Sequence, residues 1–205
     1  MVRVLIEELK QYARDNHVPI MQDGGIEFIL NYIKKYHVKK ILEIGSAIGY
    51  SAISFASISD DITVTTIERD DKMYQKAIEN IRNAQLSNRI TIIHGDALDT
   101  IIDDKYDLIF IDAAKSQYIK FFEKYKKNLK EGGVIISDNL SFHGLVEDDS
   151  KTNNRNTKQL VRKIRNYIEF LKNNQEFKTE FFNVGDGVSI SYFAKNTCKK
   201  DIFNI

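Results

Sequence analysis

The sequence predicts an α/β fold of the Rossmann-like, doubly wound kind: a mostly parallel seven-stranded sheet with helices on both faces, preceded by a helical segment. Three observations carry this expectation. From Lys39 onward, short apolar runs alternate with longer stretches of helical periodicity, the pattern of buried strands joined by crossover helices. The first run ends in the glycine turn Gly45-Ser46-Ala47-Ile48-Gly49, and the last two runs are separated by Gly185-Asp186-Gly187, a hairpin signal.

Residues 2 to 14 and 25 to 36 read as two helices separated by His17-Val18-Pro19-Ile20-Met21. This preamble, residues 1–38, is expected to cover the ligand face or form a dimer contact, ahead of a catalytic sheet core at 39–205. In the core, strands are expected at Ile41–Ile44, Ile62–Ile67, Ile90–Ile93, Tyr106–Ile111 and Val134–Ile136. Helices are expected at Tyr50–Ser57, Lys72–Gln85 and Gln117–Leu129 between them. Asn156–Leu171 reads as a further helix, and Phe177–Val184 with Val188–Phe193 as two closing strands.

A length of 205 residues suits one α/β domain, and no linker, repeat or low-complexity tract marks an internal boundary. The formal net charge of +1 lacks the bulk signature of a nucleic-acid binder, so such a role would rest on local charge. Cys198 is the only cysteine, which excludes an internal disulfide and suits a reducing cytoplasm. Arg3, Glu7, Glu8 and Lys10 break any signal-peptide apolar region. No apolar run approaches the about 20 residues of a membrane span, so a soluble, cytoplasmic protein is expected.

The glycine turn after the first strand lets backbone approach a ligand beside a helix N-terminus, which implies a nucleotide-like cofactor. Its Gly-x-x-x-Gly spacing, Gly45 to Gly49, is not the pattern of dinucleotide binding. A cofactor without pyrophosphate needs no phosphate cradle, which favours S-adenosylmethionine over NAD. Glu68 follows the second strand, where a carboxylate can accept ribose hydroxyls, and Asp96 follows the third. Three successive strand ends thus present ligand-type residues where doubly wound sheets bind ligands.

The fourth strand runs into Asp112-Ala113-Ala114-Lys115 and the fifth into Asp138-Asn139. Adjacent strands would gather Asp112, Asp138 and Asn139 around one point, an all-oxygen set suited to Mg²⁺ or another hard divalent cation. Lys115 is within reach of the same cavity, where a cation and partial desolvation favour its neutral, proton-accepting form. An ordinary helix cap at either aspartate and a solvated Lys115 are the alternatives.

These residues resemble those of the metal-dependent class I O-methyltransferases, the group of catechol and caffeoyl-CoA O-methyltransferases, over nearly the whole chain. The resemblance implies that Asp112, Asp138 and Asn139 are metal ligands, that Lys115 is the base and Asp112 a catalytic partner, and that Glu68 binds ribose. It also implies that Met21, Gly45, Ser51, Asp96, Ala97 and Asp112 line the S-adenosylmethionine pocket, and that the protein is a homodimer. Within the family the chain looks most like the bacterial tRNA 5-hydroxyuridine methyltransferases. The similarity lies in His17 to Met21, Glu43 to Ser51, Phe110 to Lys115, Gly144-Leu145-Val146 and Val184 to Gly187.

Charge bears on the substrate separately. Between Lys151 and Lys178, the basic residues Lys151, Arg155, Lys158, Arg162, Lys163, Arg165, Lys172 and Lys178 face only Glu169 and Glu176. Such a surface attracts a phosphate backbone, and Arg155, Arg162 and Arg165 are the candidate RNA contacts. The expected activity is methylation of 5-hydroxyuridine at the tRNA wobble position, in the anticodon loop, to 5-methoxyuridine. A catechol-like small-molecule O-methyltransferase and a non-catalytic RNA- or nucleotide-binding module are the other readings.

Overall fold

In the computed structural model, which describes residues 2–196, the strands are β1 (Lys40–Ile44), β2 (Thr63–Glu68), β3 (Ile90–His94), β4 (Tyr106–Ile111), β5 (Leu129–Ser137), β6 (Phe177–Phe182) and β7 (Val188–Phe193). The helices are α1 (Val2–Asp15), α2 (Asp23–Lys35), α3 (Tyr50–Ala56), α4 (Asp71–Asn83), α5 (Tyr118–Tyr125) and α6 (Arg155–Lys172). Cys198 lies outside the described residues. The strands form one sheet in the order β3-β2-β1-β4-β5-β7-β6. Strands β1 to β5 pair in parallel, and β7 pairs antiparallel with both β5 and β6.

The strand period of two sorts apolar residues onto opposite faces. Ile41, Leu108, Phe110, Val134 and Ile136 pack with α1, α2 and α3. Leu42, Ile44, Ile109, Ile111 and Ile135 pack with Tyr118, Phe122 and Tyr125 of α5 and Ile164, Tyr167 and Leu171 of α6. Strands covered on both sides need apolar residues at consecutive positions, which is why β4 reads as a continuous apolar run from Leu108 to Ile111.

Most boundaries fall within two residues of the sequence expectation, and two depart further. The helix starting at Tyr118 stops at Tyr125 rather than Leu129, because Asn128 turns its side-chain amide onto the carbonyls of Ile102 (2.7 Å) and Asp104 (2.8 Å) and draws the chain out of the helix. The fifth strand is longer, starting at Leu129, and absorbs Gly132-Gly133 through a register shift between Tyr106 and Leu108. Gly133 has no room for a side chain, since a Cβ there would lie 2.8 Å from the Asp107 carbonyl oxygen.

The chain leaves β3 at one edge and returns beside β1 as β4, so β1 and β4 flank the topological switch point. Ligands in open α/β sheets bind outside the carboxyl ends at that point. No helix among the described residues is long and apolar enough to cross a membrane.

Candidate active site

A cavity of about 540 Å³ opens at the carboxyl ends of β1 and β4. Gly45 ends β1 with φ +97°, a backbone region that L side chains rarely adopt, and a Cβ there would lie 2.2 Å from the Asp112 carbonyl oxygen. Only glycine lets the two strand ends close up. The closure is held by the Asp112 N–H donating to the Ile44 carbonyl (3.0 Å) and the Gly45 N–H donating to the Ile67 carbonyl (3.0 Å). Gly49, at φ +82°, turns the chain into α3, and Asn80 of α4 fixes that turn by donating to the Ile48 carbonyl at 2.8 Å.

Three carboxylates stand along the first three strand ends. Glu68 is fixed by backbone: its Oε2 accepts the Ala47 N–H at 2.8 Å, and its Oε1 accepts those of Arg69 (2.9 Å) and Asp70 (2.8 Å). Each carboxylate oxygen has two acceptor sites, so Glu68 still has acceptor capacity facing the cavity. Asp96 accepts the Leu98 N–H at 2.8 Å and lines the same wall with Ala97. Glu43 lies fully buried beneath the floor, where it accepts hydrogen bonds from Ser51 Oγ and, at 2.5 Å, from Thr66 Oγ1. Burial pushes the Glu43 carboxyl up to about 7, against the opposing pull of those two hydroxyls. Ser51 and Met21 line the cavity, and Met21 crowds Gly25 so closely that a Cβ there would lie 2.8 Å from the methionine Cε.

On the other side of the cavity stand Asp112, Lys115 and Asn139. Asp138 is not itself in the cavity wall; it sits behind Asn139, with only 1% of its surface exposed. Burial raises both aspartates, Asp138 to about 8, and the negative charge of Asp112 adds to the effect at Asp138. The Lys115 charge acts in the opposite direction on both. Asp138 Oδ1 is buried without a hydrogen-bond partner among the described residues. A buried Asp138 with an orphaned oxygen, raised further by the negative charge of Asp112, marks a site short of positive charge, and the oxygen-only donors suit a hard cation. Among the described residues no group of three His, Cys, Asp or Glu forms such a site; the set here is two carboxylates and the Asn139 carboxamide. Asn139 takes a left-handed backbone, φ +61°, which re-aims the chain as it leaves β5.

The candidate RNA contacts lie apart from the cavity wall, on α6. Arg155 and Arg162 are exposed and, like Lys158 and Lys163, make no ion pair among the described residues. Arg165 differs: its Nε donates to the Val146 carbonyl (2.9 Å) and its Nη1 pairs with Asp149 (3.0 Å), so it anchors the loop after β5.

Among the cavity-lining residues that the sequence did not single out are Gln117, Phe142, His143 and Asp186. Asp186 was legible as the centre of a Gly-Asp-Gly turn and as part of the Val184–Gly187 resemblance, with no site role attached. Phe142 and His143 carried no periodic or motif signal; both adopt positive φ, +48° and +57°, in the loop after β5.

A model of the O-methyltransferase family matches residues 2–193. A caffeoyl-CoA O-methyltransferase of Stellaria longipes is 30% identical over 177 residues, 80% of this chain and 70% of that protein. Among solved structures, a candidate caffeoyl-CoA O-methyltransferase from Staphylococcus aureus is 46% identical with a TM-score of 0.88, covering 92% of this chain and 91% of that one. An O-methyltransferase from Bacillus cereus, solved in complex with SAH, is 27% identical with a TM-score of 0.78, covering 93% of this chain and 90% of that one.

Proposed function

This chain belongs to the O-methyltransferase family, and we propose that within it the enzyme is an S-adenosylmethionine- and Mg²⁺-dependent methyltransferase acting on 5-hydroxyuridine in the anticodon loop of tRNA. One observation carries the chemistry: the cofactor-type crevice at Gly45 and Glu68 and the cation-type set at Asp112 and Asn139 line one cavity, with Lys115 in the same wall. The SAH complex of the Bacillus cereus relative supports the cofactor. When bound, S-adenosylmethionine supplies an electrophilic methyl group, and Mg²⁺ supplies positive charge that favours the ionised acceptor oxygen.

The residues divide the remaining work. Glu68, held by three backbone donors, accepts ribose hydroxyls, and the absent side chain at Gly45 lets the cofactor approach the backbone. Asp112, Asp138 and Asn139 would hold the cation. Lys115 takes the proton from the acceptor hydroxyl at its Nζ, leaving an oxygen nucleophile for the methyl group. The walls fix the two reactants in line, which is the larger share of what a methyl transfer needs. The exposed cations of α6, Arg155, Lys158, Arg162 and Lys163, support RNA as the acceptor, because phosphates would pair with charges that have no ion-pair partner among the described residues. An anticodon base is already unstacked and enters such a cavity without the opening of a duplex. A homodimer belongs to the same reading.

The relatives also support a second acceptor, a small vicinal diol of the catechol kind, since the Stellaria longipes protein is a caffeoyl-CoA O-methyltransferase. The experiment is methyl incorporation from labelled S-adenosylmethionine into tRNA from cells lacking this enzyme, beside a free catechol at equal concentration. Labelled 5-methoxyuridine that disappears with chelator and returns with Mg²⁺ is the expected result. Catechol turnover without labelled tRNA would overturn the RNA reading, and full activity in excess chelator would overturn the metal.

A further inference from the structure

Asp186 occupies the acceptor side of the cavity, and no step of the methyl transfer described above uses it. It sits in the turn between β6 and β7, lines the cavity, and has only 4% of its surface exposed. Its Oδ1 accepts the His143 backbone N–H, while its Oδ2 is buried with no hydrogen-bond partner among the described residues. The His143 ring Nδ1 is 3.7 Å from Oδ2, beyond hydrogen-bond distance, on a side chain that is 67% exposed. Leaving a buried carboxylate oxygen without a donor destabilises the fold. Capping the His143 turn requires one acceptor oxygen, which an asparagine would also provide. The second oxygen therefore awaits a donor that arrives with a ligand.

The backbone presents that oxygen rigidly. Gly185 and Gly187 flank Asp186 at φ +55° and +86°. A Cβ on Gly185 would lie 2.9 Å from Gly25 N at the start of α2, and one on Gly187 would lie 2.7 Å from Ser141 N. Ser141 donates to the Asp186 carbonyl (2.8 Å) and Leu140 to the Gly187 carbonyl (3.0 Å). The turn is thus wedged between the N-terminal cover and the loop that begins at Asp138-Asn139. Its charge acts on Asp138 and on the Tyr118 hydroxyl, so the carboxylate neighbours the cation set. The Phe142 ring lines the same cavity, with Lys115 Nζ 5.6 Å from its centroid, and offers a flat apolar surface to a planar acceptor.

We infer that Asp186 is a specificity-determining residue that accepts a hydrogen bond from the ring N3–H of the acceptor uracil; this rests on the uridine reading above. In 5-hydroxyuracil the two oxygens that can chelate a cation are on C5 and C4, and the next ring atom after C4 is N3, which carries a hydrogen. A catechol has C–H at the corresponding place, and cytosine has a lone pair that would face the carboxylate. An acceptor bound by its two oxygens beside Asp138 therefore turns a donor toward Asp186 only when it is a uracil. A site built around such a bond rejects the analogue that lacks the donor far more strongly than an apolar pocket could.

The test compares anticodon-loop oligonucleotides carrying 5-hydroxyuridine or its N3-methyl derivative, with wild type, Asp186→Ala and Asp186→Asn. Wild type is expected to prefer the N3–H substrate on the order of 100-fold in kcat/KM. Asp186→Ala should lose a similar factor on that substrate and discriminate less than about threefold between the two. Asp186→Asn keeps an acceptor for the His143 N–H and should show the same loss if the alanine variant fails to fold. Affinities for Mg²⁺ and S-adenosylmethionine, read by calorimetry, should be unchanged in both variants. Equal wild-type turnover of both oligonucleotides would overturn the inference while leaving the uridine reading intact. So would loss of Mg²⁺ affinity in Asp186→Asn, which would assign the carboxylate to the cation's water shell. Wild type inactive on 5-hydroxyuridine RNA would overturn the uridine reading itself, and this inference with it.

Discussion

Replacing Gly45 by alanine tests the close approach on which the whole crevice depends. The new Cβ would meet the Asp112 carbonyl oxygen at 2.2 Å, well inside any real contact, and the residue would have to keep φ +97°. The left-handed backbone alone costs an alanine about 1–2 kcal/mol. Relieving the clash requires β1 and β4 to part at their ends, which strains the Asp112–Ile44 and Gly45–Ile67 hydrogen bonds, each worth about 0.5–1.5 kcal/mol. The expected loss is about 2–5 kcal/mol, or about 4–20 °C in Tm for a domain of this size. Gly132→Ala is the control, because Gly132 also has positive φ, +76°, yet nothing lies within 4 Å of its Cβ position. It should cost only the backbone part, about 1–2 kcal/mol. Thermal melts of both variants, with calorimetry for S-adenosylmethionine, read the two contributions separately. Equal Tm values for the two variants, with cofactor affinity intact in Gly45→Ala, would refute the reasoning.

Three further outcomes are expected. Glu43 carries a folded-state pKa raised from 4.5 to about 7, so the folded protein holds this proton more tightly than the unfolded chain. The resulting stability is present at low pH and fades as pH rises through 7, by an amount on the order of 3 kcal/mol. Urea denaturation of wild type and Glu43→Gln at pH 5 and pH 8 should show the variant gaining on wild type by that order as pH rises; a pH-independent difference would count against it. Lys115→Met should fold and bind cofactor but lose about 10²-fold or more in kcat near neutral pH, with partial recovery at high pH; a wild-type pH–rate profile would leave Lys115 without a role. Neutralising Arg155 and Arg162 together should weaken tRNA binding and reduce the slope of log K against log salt by about 1.4. Arg165→Gln should instead cost about 1–2 kcal/mol in a thermal melt, since it unpins Val146 and Asp149, and should leave that slope nearly unchanged.

The layered architecture and the cofactor side of the site follow from local patterns along the chain. Periodicity is a local property, so the strands from Ile41 to Ile111 and the amphipathic helices between them could be read from the chain alone. Parallel strands also deliver their ligand-type residues at predictable places, immediately after each apolar run, which is why Gly45, Glu68, Asp96, Asp112 and Asn139 were legible and all line the cavity. Other features of the site arise only once the chain has folded. Asp186 reads as a turn residue until the antiparallel pairing of β7 with β5 carries it against His143. Arg165 reads like its basic neighbours until the loop after β5 folds onto it. Asp138 is set behind Asn139 by the left-handed turn at that asparagine. For Asp186 and Arg165 the deciding quantity is a hydrogen bond to a partner 43 and 16 residues away, and no local pattern encodes it.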